Sequence, residues 1–341
     1  MRRILHLLLL VMTFTITAIF SGAEEVKYVI GPQFDEASSF SEGLAIVKTG
    51  GKYGFIDKTG NYIARPQFDD VWSFSEGLAA VKIGGKSIKW GFIDKTGKYF
   101  INPQFDYAEN FSCGMARVQF GDKDGYIDKN GRFAIVLSPK FEYARSFDEC
   151  MALIRIGEKF GYIDKTGKIV IEPQFDYTDE VMDFSEGILA VEMGGKWGYV
   201  DKTGRYVVNP RFEWAKGFSE GLAAVETGGK WGYIDKSGKY AVNPHLDAAY
   251  NFSEGLAPVT IGKKCGYIDK AGRQVIGPQF SNAWGFKEGL APVALGIKWG
   301  FIDKSGRMVI GPQFDQVGNF SEGLAPVEKG GKWGYIRNPL K

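Results

Sequence analysis

The sequence predicts an all-β tandem-repeat fold, and three observations lead there. A glycine followed by Phe or Tyr recurs nine times, at Gly54, Gly91, Gly125, Gly161, Gly198, Gly232, Gly266, Gly300 and Gly334, at intervals of 34 to 37 residues. Within each unit, short aromatic and β-branched runs alternate with glycine-rich punctuation, the mark of short strands joined by tight turns. No run is long enough to carry a helical stripe of 3.6-residue period, so paired helices are excluded despite the period.

The unit around Gly232 shows the elements in order. Gly-Leu-Ala-Ala-Val at 221–225 and Trp-Gly-Tyr-Ile-Asp at 231–235 read as two strands hinged at Gly228-Gly229, and Lys-Tyr-Ala-Val-Asn-Pro at 239–244 reads as a third. Between the last two, Asp235 starts a type I turn and Gly238 takes the left-handed position of a three-residue hairpin with a bulge. The same Asp-Lys-x-Gly stands in eight of nine units, from Asp57 to Asp303. One aspartate per turn does not supply the six to eight oxygens that calcium takes. A loop of about ten residues follows, bracketed by two phenylalanines such as Phe212 and Phe218. The second bracket is Phe in every unit, from Phe40 to Phe320, and is expected to form an inter-repeat core. Pro258, Pro292 and Pro326 fall in the Leu-Ala-x-Val strand, which predicts an edge or a bulge there.

Lys-Trp-Gly-Tyr-Ile-Asp-Lys-x-Gly-Lys, then Pro-Gln-Phe-Asp, then Phe-Ser-Glu-Gly-Leu-Ala, covers Tyr28 to Pro339 and resembles the WG-repeat, or KWG-repeat, family of bacterial proteins. Tyr53, Asp124, Phe160 and Cys265 depart from its Trp, and Leu246 from a Phe. The resemblance implies an all-β repeat module with no assigned catalytic residues.

The expected architecture is therefore nine three-stranded antiparallel units, starting near Pro32, Pro66, Pro103, Pro139, Pro173, Pro210, Pro244, Pro278 and Pro312. An open, solenoid-like superhelix is favoured by a small margin over a closed propeller-like ring. Nine blades exceeds the usual four to eight, and about 34 residues is short for a four-stranded blade. Against that, the chain starts on the last strand of a unit at Tyr28 and ends on the preceding strand at Ile336, halves that could pair.

Arg2 and Arg3, an apolar run from Ile4 to Phe20, and Ser21-Gly22-Ala23 predict a signal peptide over residues 1–23, with the repeat domain at 24–341. Retention as an anchor is the competing reading; after cleavage no membrane span is expected. Export places the protein in the periplasm or outside the cell. Without the leader's two arginines the chain holds 40 basic and 40 acidic residues, giving no cationic surplus for nucleic acid. Cys113, Cys150 and Cys265 stand where sister repeats carry Glu, Gly and Trp, and read as local drift rather than a disulfide framework. One histidine after the leader, His245, and no CxxC pair leave no expected metal site or cofactor.

No constellation breaks the repeat as a catalytic site would, so the expectation is a non-catalytic protein. The Ser-Glu-Gly glutamates read as solvated loop residues, and the lysines before each WG, from Lys52 to Lys332, as guards of strand edges. The candidate binding residues are the aromatics of the variable loop: Trp72, Tyr107, Tyr143, Tyr177, Trp214, Tyr250 and Trp284. The alternative for these rings is packing between units. The expected function is an extracytoplasmic scaffold for a protein partner; carbohydrate or cell-wall polymer binding is the alternative. Regular spacing of exposed rings would suit a polymer, irregular clustering a protein.

Overall fold

The computed structural model describes residues 26–85, 88–176 and 183–341; the expected signal peptide and Tyr177 lie outside them. The described residues form nine antiparallel sheets in sequence order and contain no helix. Among the described residues eight sheets have four strands, and the ninth, of Ile188–Met193, Lys196–Asp201 and Tyr206–Phe212, has three. Numbering blades from the one that begins at Glu36, blade 6 consists of Trp214–Ala215, Leu222–Thr227, Lys230–Asp235 and Tyr240–Leu246. The expected meander supplies three strands, and the variable loop supplies a fourth that is only two residues long in most blades. That brevity is how about 34 residues suffice for a propeller blade.

The open array gives way to the closed ring. Tyr28–Phe34 pairs antiparallel with Lys332–Arg337, Tyr28 opposite Ile336 and Phe34 opposite Trp333, and completes blade 9. The first and last described strands thus share one sheet.

The turns follow the residues. Asp235 Oδ1 accepts the Ser237 and Lys239 N–H groups at 2.9 and 3.1 Å, and Gly238 sits at φ 82°. Gly238 N–H donates to Asp235 O at 2.9 Å, which closes the hairpin as expected. The WG glycine has a different necessity. Register shifts in the fourth strand bring Val242 O to 2.5 Å from where a Cβ would stand on Gly232. The equivalent carbonyl lies 2.1 to 2.7 Å from that position in all nine units, so no larger residue fits.

The prolines lie in an interior strand, the second of four. The first strand of blade 7 ends at Ala249, and beyond it Tyr250 N–H still donates to Pro258 O at 3.1 Å. In blade 1 the equivalent N–H, of Ile46, is taken by the Ser38 hydroxyl at 3.0 Å rather than by backbone, so proline forfeits no ladder bond.

The core lies between blades. Each hydrophobic cluster joins two consecutive sheets, as Tyr233, Val242 and Leu246 meet Phe252, Val259 and Ile268, and the last joins Leu324 and Tyr335 to Phe40, Val47 and Ile56. The ring after each WG glycine packs on the bracketing Phe of the next blade, centroids 4.7 to 5.2 Å apart, at all nine junctions. These phenylalanines are 0 to 4% exposed, and each buried ring stabilises by about 1.5–3 kcal/mol.

Candidate functional site

The Ser-Glu-Gly glutamates sit in turns, as expected, but their carboxylates are engaged by the neighbouring blade rather than left to solvent. Ser219 and Leu222 face each other across Glu220 and Gly221, whose φ values of 54° and 85° make a two-residue turn left-handed at both positions. A glutamate held there points at the next blade. Glu220 accepts Gly255 N–H at 3.1 Å and pairs with Lys270 at 3.1 Å, and Lys270 also donates to Glu220 O at 2.9 Å. Eight such Glu–Lys pairs run around the ring, closing through Lys58–Glu322 and using Lys341 for Glu288 at the chain end. Burial alone would raise the Glu220 carboxyl, but the Lys270 and Gly255 hydrogen bonds outweigh it and hold it below its usual range. Six serines donate to the next blade's Phe carbonyl at 2.5 to 2.9 Å, among them Ser321 to Phe40 across the closure.

One junction is covalent. Cys113 and Cys150 form a disulfide, Cα atoms 5.5 Å apart, between blades 3 and 4. The reading of Cys113 and Cys150 as unpaired local drift is thereby corrected; Cys265 is buried and free.

Six of the nine lysines before the WG positions are ion-paired among the described residues. Lys230 pairs with Asp247 at 2.6 Å, and the same aspartate accepts Gly262 N–H of the next blade at 2.7 Å. Lys52, Lys89, Lys159, Lys298 and Lys332 pair likewise, with the aspartate 17 positions on in sequence or, for Lys332, with Asp35 across the closure.

Blades 3 and 4 hold a constellation that sequence reading missed. Arg117, in the strand position that carries proline in blades 7 to 9, is 8% exposed and pairs with Asp124 at 2.7 Å and Glu109 at 3.4 Å. Glu109 accepts Ser146 N–H of the next blade at 3.0 Å, and the Tyr107 hydroxyl at 2.9 Å. Asp124 in a tryptophan position was the available signal.

The candidate aromatics divide into two sets. Tyr107 and Trp214 lie in first strands against the preceding blade, Tyr107 at 6.2 Å from Trp90 and Trp214 at 5.3 Å from Trp197, as gap-filling residues would. Tyr143, in the same position, lines a cleft of about 700 Å³ beside Glu142 and Arg155. Trp72, Tyr250 and Trp284 share a different position, two residues before the bracketing Phe, and are 43, 43 and 37% exposed.

Tyr250 and Trp284 line a cleft of about 790 Å³, together with Lys216, Asn251, Asn282, Lys287 and Asn319. These residues belong to blades 6, 7, 8 and 9. One cleft can touch four consecutive blades of a ring only where the blades converge, so it lies at the axis. Lys216 Nζ sits 4.5 Å from the Tyr250 ring centre and 5.3 Å from that of Trp231. The lysines and asparagines were legible only as departures from the repeat.

A model of the WG-containing repeat matches residues 27–53, 53–86, 90–123, 125–160, 160–197, 197–231, 231–265, 266–298 and 299–333. The chain belongs to the WG-repeat family. The WG-repeat ring is similar to the crystal structure of a eukaryotic initiation factor, with 11% identity, TM-score 0.61 and 92% of each chain covered, a likeness of fold. It also matches the extracellular domain of a one-component system from B. thetaiotaomicron, at 13% identity and TM-score 0.36, covering 89% of this chain and 52% of that one. For PorZ, a surface component of the type-IX secretion system of Porphyromonas gingivalis, the values are 10% and 0.35, covering 91% and 46%. No curated protein matches the WG-repeat chain.

Proposed function

We propose that this WG-repeat ring is a non-catalytic, extracytoplasmic binding module that presents its axial cleft to a protein partner. The observation that carries this reading is the cleft spanning blades 6 to 9, with Tyr250 and Trp284 half open to solvent inside it. Exposed aromatics in a concave site are the usual anchors of recognition. Trp72, Tyr250 and Trp284 occur in blades 2, 7 and 8, an irregular grouping that suits a folded or extended protein better than a repeating polymer. The Cys113–Cys150 disulfide fits an oxidising compartment, in keeping with the apolar leader. The carbohydrate reading keeps one support, two flat rings beside the amides of Asn251 and Asn282.

The test is affinity capture from cell-envelope extract, with the purified chain beside its Tyr250→Ala/Trp284→Ala variant. A protein held by the parent and lost by the folded variant supports the reading. Equal capture by both moves binding elsewhere, and capture of glycan alone favours the polymer reading.

A further inference from the structure

We infer that the axial cleft is built for an acidic peptide segment, which its carboxylates anchor and its apolar side chains seat; this rests on the binding-module reading above. The decisive residue is Lys287. It occupies the place where Ser219, Ser253 and Ser321 donate to a neighbouring Phe carbonyl. A lysine there gives up that bond between blades, yet its side chain is exposed and has no ion-pair partner among the described residues. Most of the repeat's own lysines are, by contrast, paired with aspartate or glutamate among the described residues, six of the nine before the WG glycine and seven of the eight in the Asp-Lys-x-Gly turns. A cation left in a cleft at the expense of a repeated structural bond is placed to meet an anion from outside.

The rest of the cleft agrees in sign and shape. Lys216 lies over the Tyr250 ring, and the cleft's Glu220 is already engaged by Lys270 and by Gly255 N–H. Glu220 is therefore not free to neutralise Lys287 within the same lining. Gly285 holds a cleft position that carries Asn251 and Asn319 in the adjoining blades; its φ is ordinary, and a Cβ there would stand 3.4 Å from Ser253 Cβ. The groove is thus open where a larger residue could be accommodated. The asparagine amides offer both donors and acceptors, which match the alternating groups of a peptide backbone. Tyr250 and Trp284 supply flat surfaces for apolar side chains.

The test uses a fluorescein-labelled peptide of alternating glutamate and leucine and its lysine–leucine counterpart, read by anisotropy against the purified chain. The acidic peptide binds, the basic one does not, and affinity falls severalfold as salt rises from about 50 to about 300 mM. Lys287→Ser, which restores the ring serine and is safe for folding, weakens the acidic peptide roughly tenfold. Equal binding of the two peptides, or full affinity in Lys287→Ser, overturns the inference. If the acidic peptide fails while Tyr250→Ala/Trp284→Ala still loses a captured envelope protein, the charge assignment falls and the binding-module reading stands. If neither is seen, both fall.

Discussion

Cys113 and Cys150 hold, as a disulfide, the two places that a glutamate and the glycine of the following blade hold at other junctions. Both keep the left-handed backbone of the residues they replace, φ 54° and 63°. A covalent bond has taken over a carboxylate-to-amide hydrogen bond without moving the chain. The position facing Lys165 thereby loses its carboxylate; a Cβ on Gly114 would stand 4.0 Å from Lys165 Nζ.

This exchange predicts a reversible design. Cys113→Ser/Cys150→Ser removes a cross-link spanning 37 residues and costs up to about 4 kcal/mol by chain entropy. Cys113→Glu/Cys150→Gly recovers part of that loss by rebuilding the clamp with Lys165. Urea unfolding of the three proteins checks the order; a double serine variant as stable as the parent would contradict it.

The WG glycine is a steric requirement and can be tested as one. Gly232→Ala drives a methyl into Val242 O and destabilises by about 1–3 kcal/mol. Gly277→Ala, where nothing lies within 4 Å of the new Cβ, changes stability by less than about 0.5 kcal/mol. Thermal denaturation of the pair reads the difference.

The glutamate ring predicts acid sensitivity. In Glu42, Glu186, Glu220, Glu288 and Glu322, burial raises the carboxyl, and the lysine and glycine N–H bonds more than offset it. Their folded values lie below the unfolded value of about 4.3. The stabilisation is complete above that value and is lost as pH falls through the folded values. The urea midpoint should be level from about pH 6 to 8 and decline below about pH 4, more gently in Glu220→Gln.

Asp148 runs the other way. It holds the place of a ring serine, and burial, then Asp183, then Glu149 raise its carboxyl. A raised acid favours the protonated fold, so ionisation at neutral pH works against stability. Asp148→Ser should raise the urea midpoint at pH 7, and the gain should shrink near pH 4. An unchanged midpoint at both would show that the carboxylate is relaxed in water.

Strand order, the turn at Asp235–Gly238 and the buried Phe series were legible in the sequence because they depend on residues adjacent in the chain. Closure was legible only as the alternative to an open array, through the half-units at Tyr28 and Ile336, because those strands meet only when all nine junction angles have added up. The two-residue first strands escaped notice because Trp214–Ala215 and its counterparts are too short to show a period of two. For the site, the aromatics were visible as types, but Tyr107 and Tyr250 looked equivalent until a place in the first strand could be told from the one just beyond it. Glu220 and Lys270 are 50 positions apart, and their pairing is invisible to any local pattern. Lys287 was the clearest signal passed over, a lone cation in a column of serines.

The seam between Tyr28–Phe34 and Lys332–Arg337 also sets the order of events in folding. Synthesis makes the first of these strands about 300 residues before its partner, so it waits longer than any other strand of the ring. Successive blades can stack as they emerge, each on the one before, while blade 9 stays incomplete. Circularity is then a single late step that searches over nearly the whole chain length, the kind of non-local contact that makes folding slow. Until it occurs, the growing stack carries an exposed sheet face at each end.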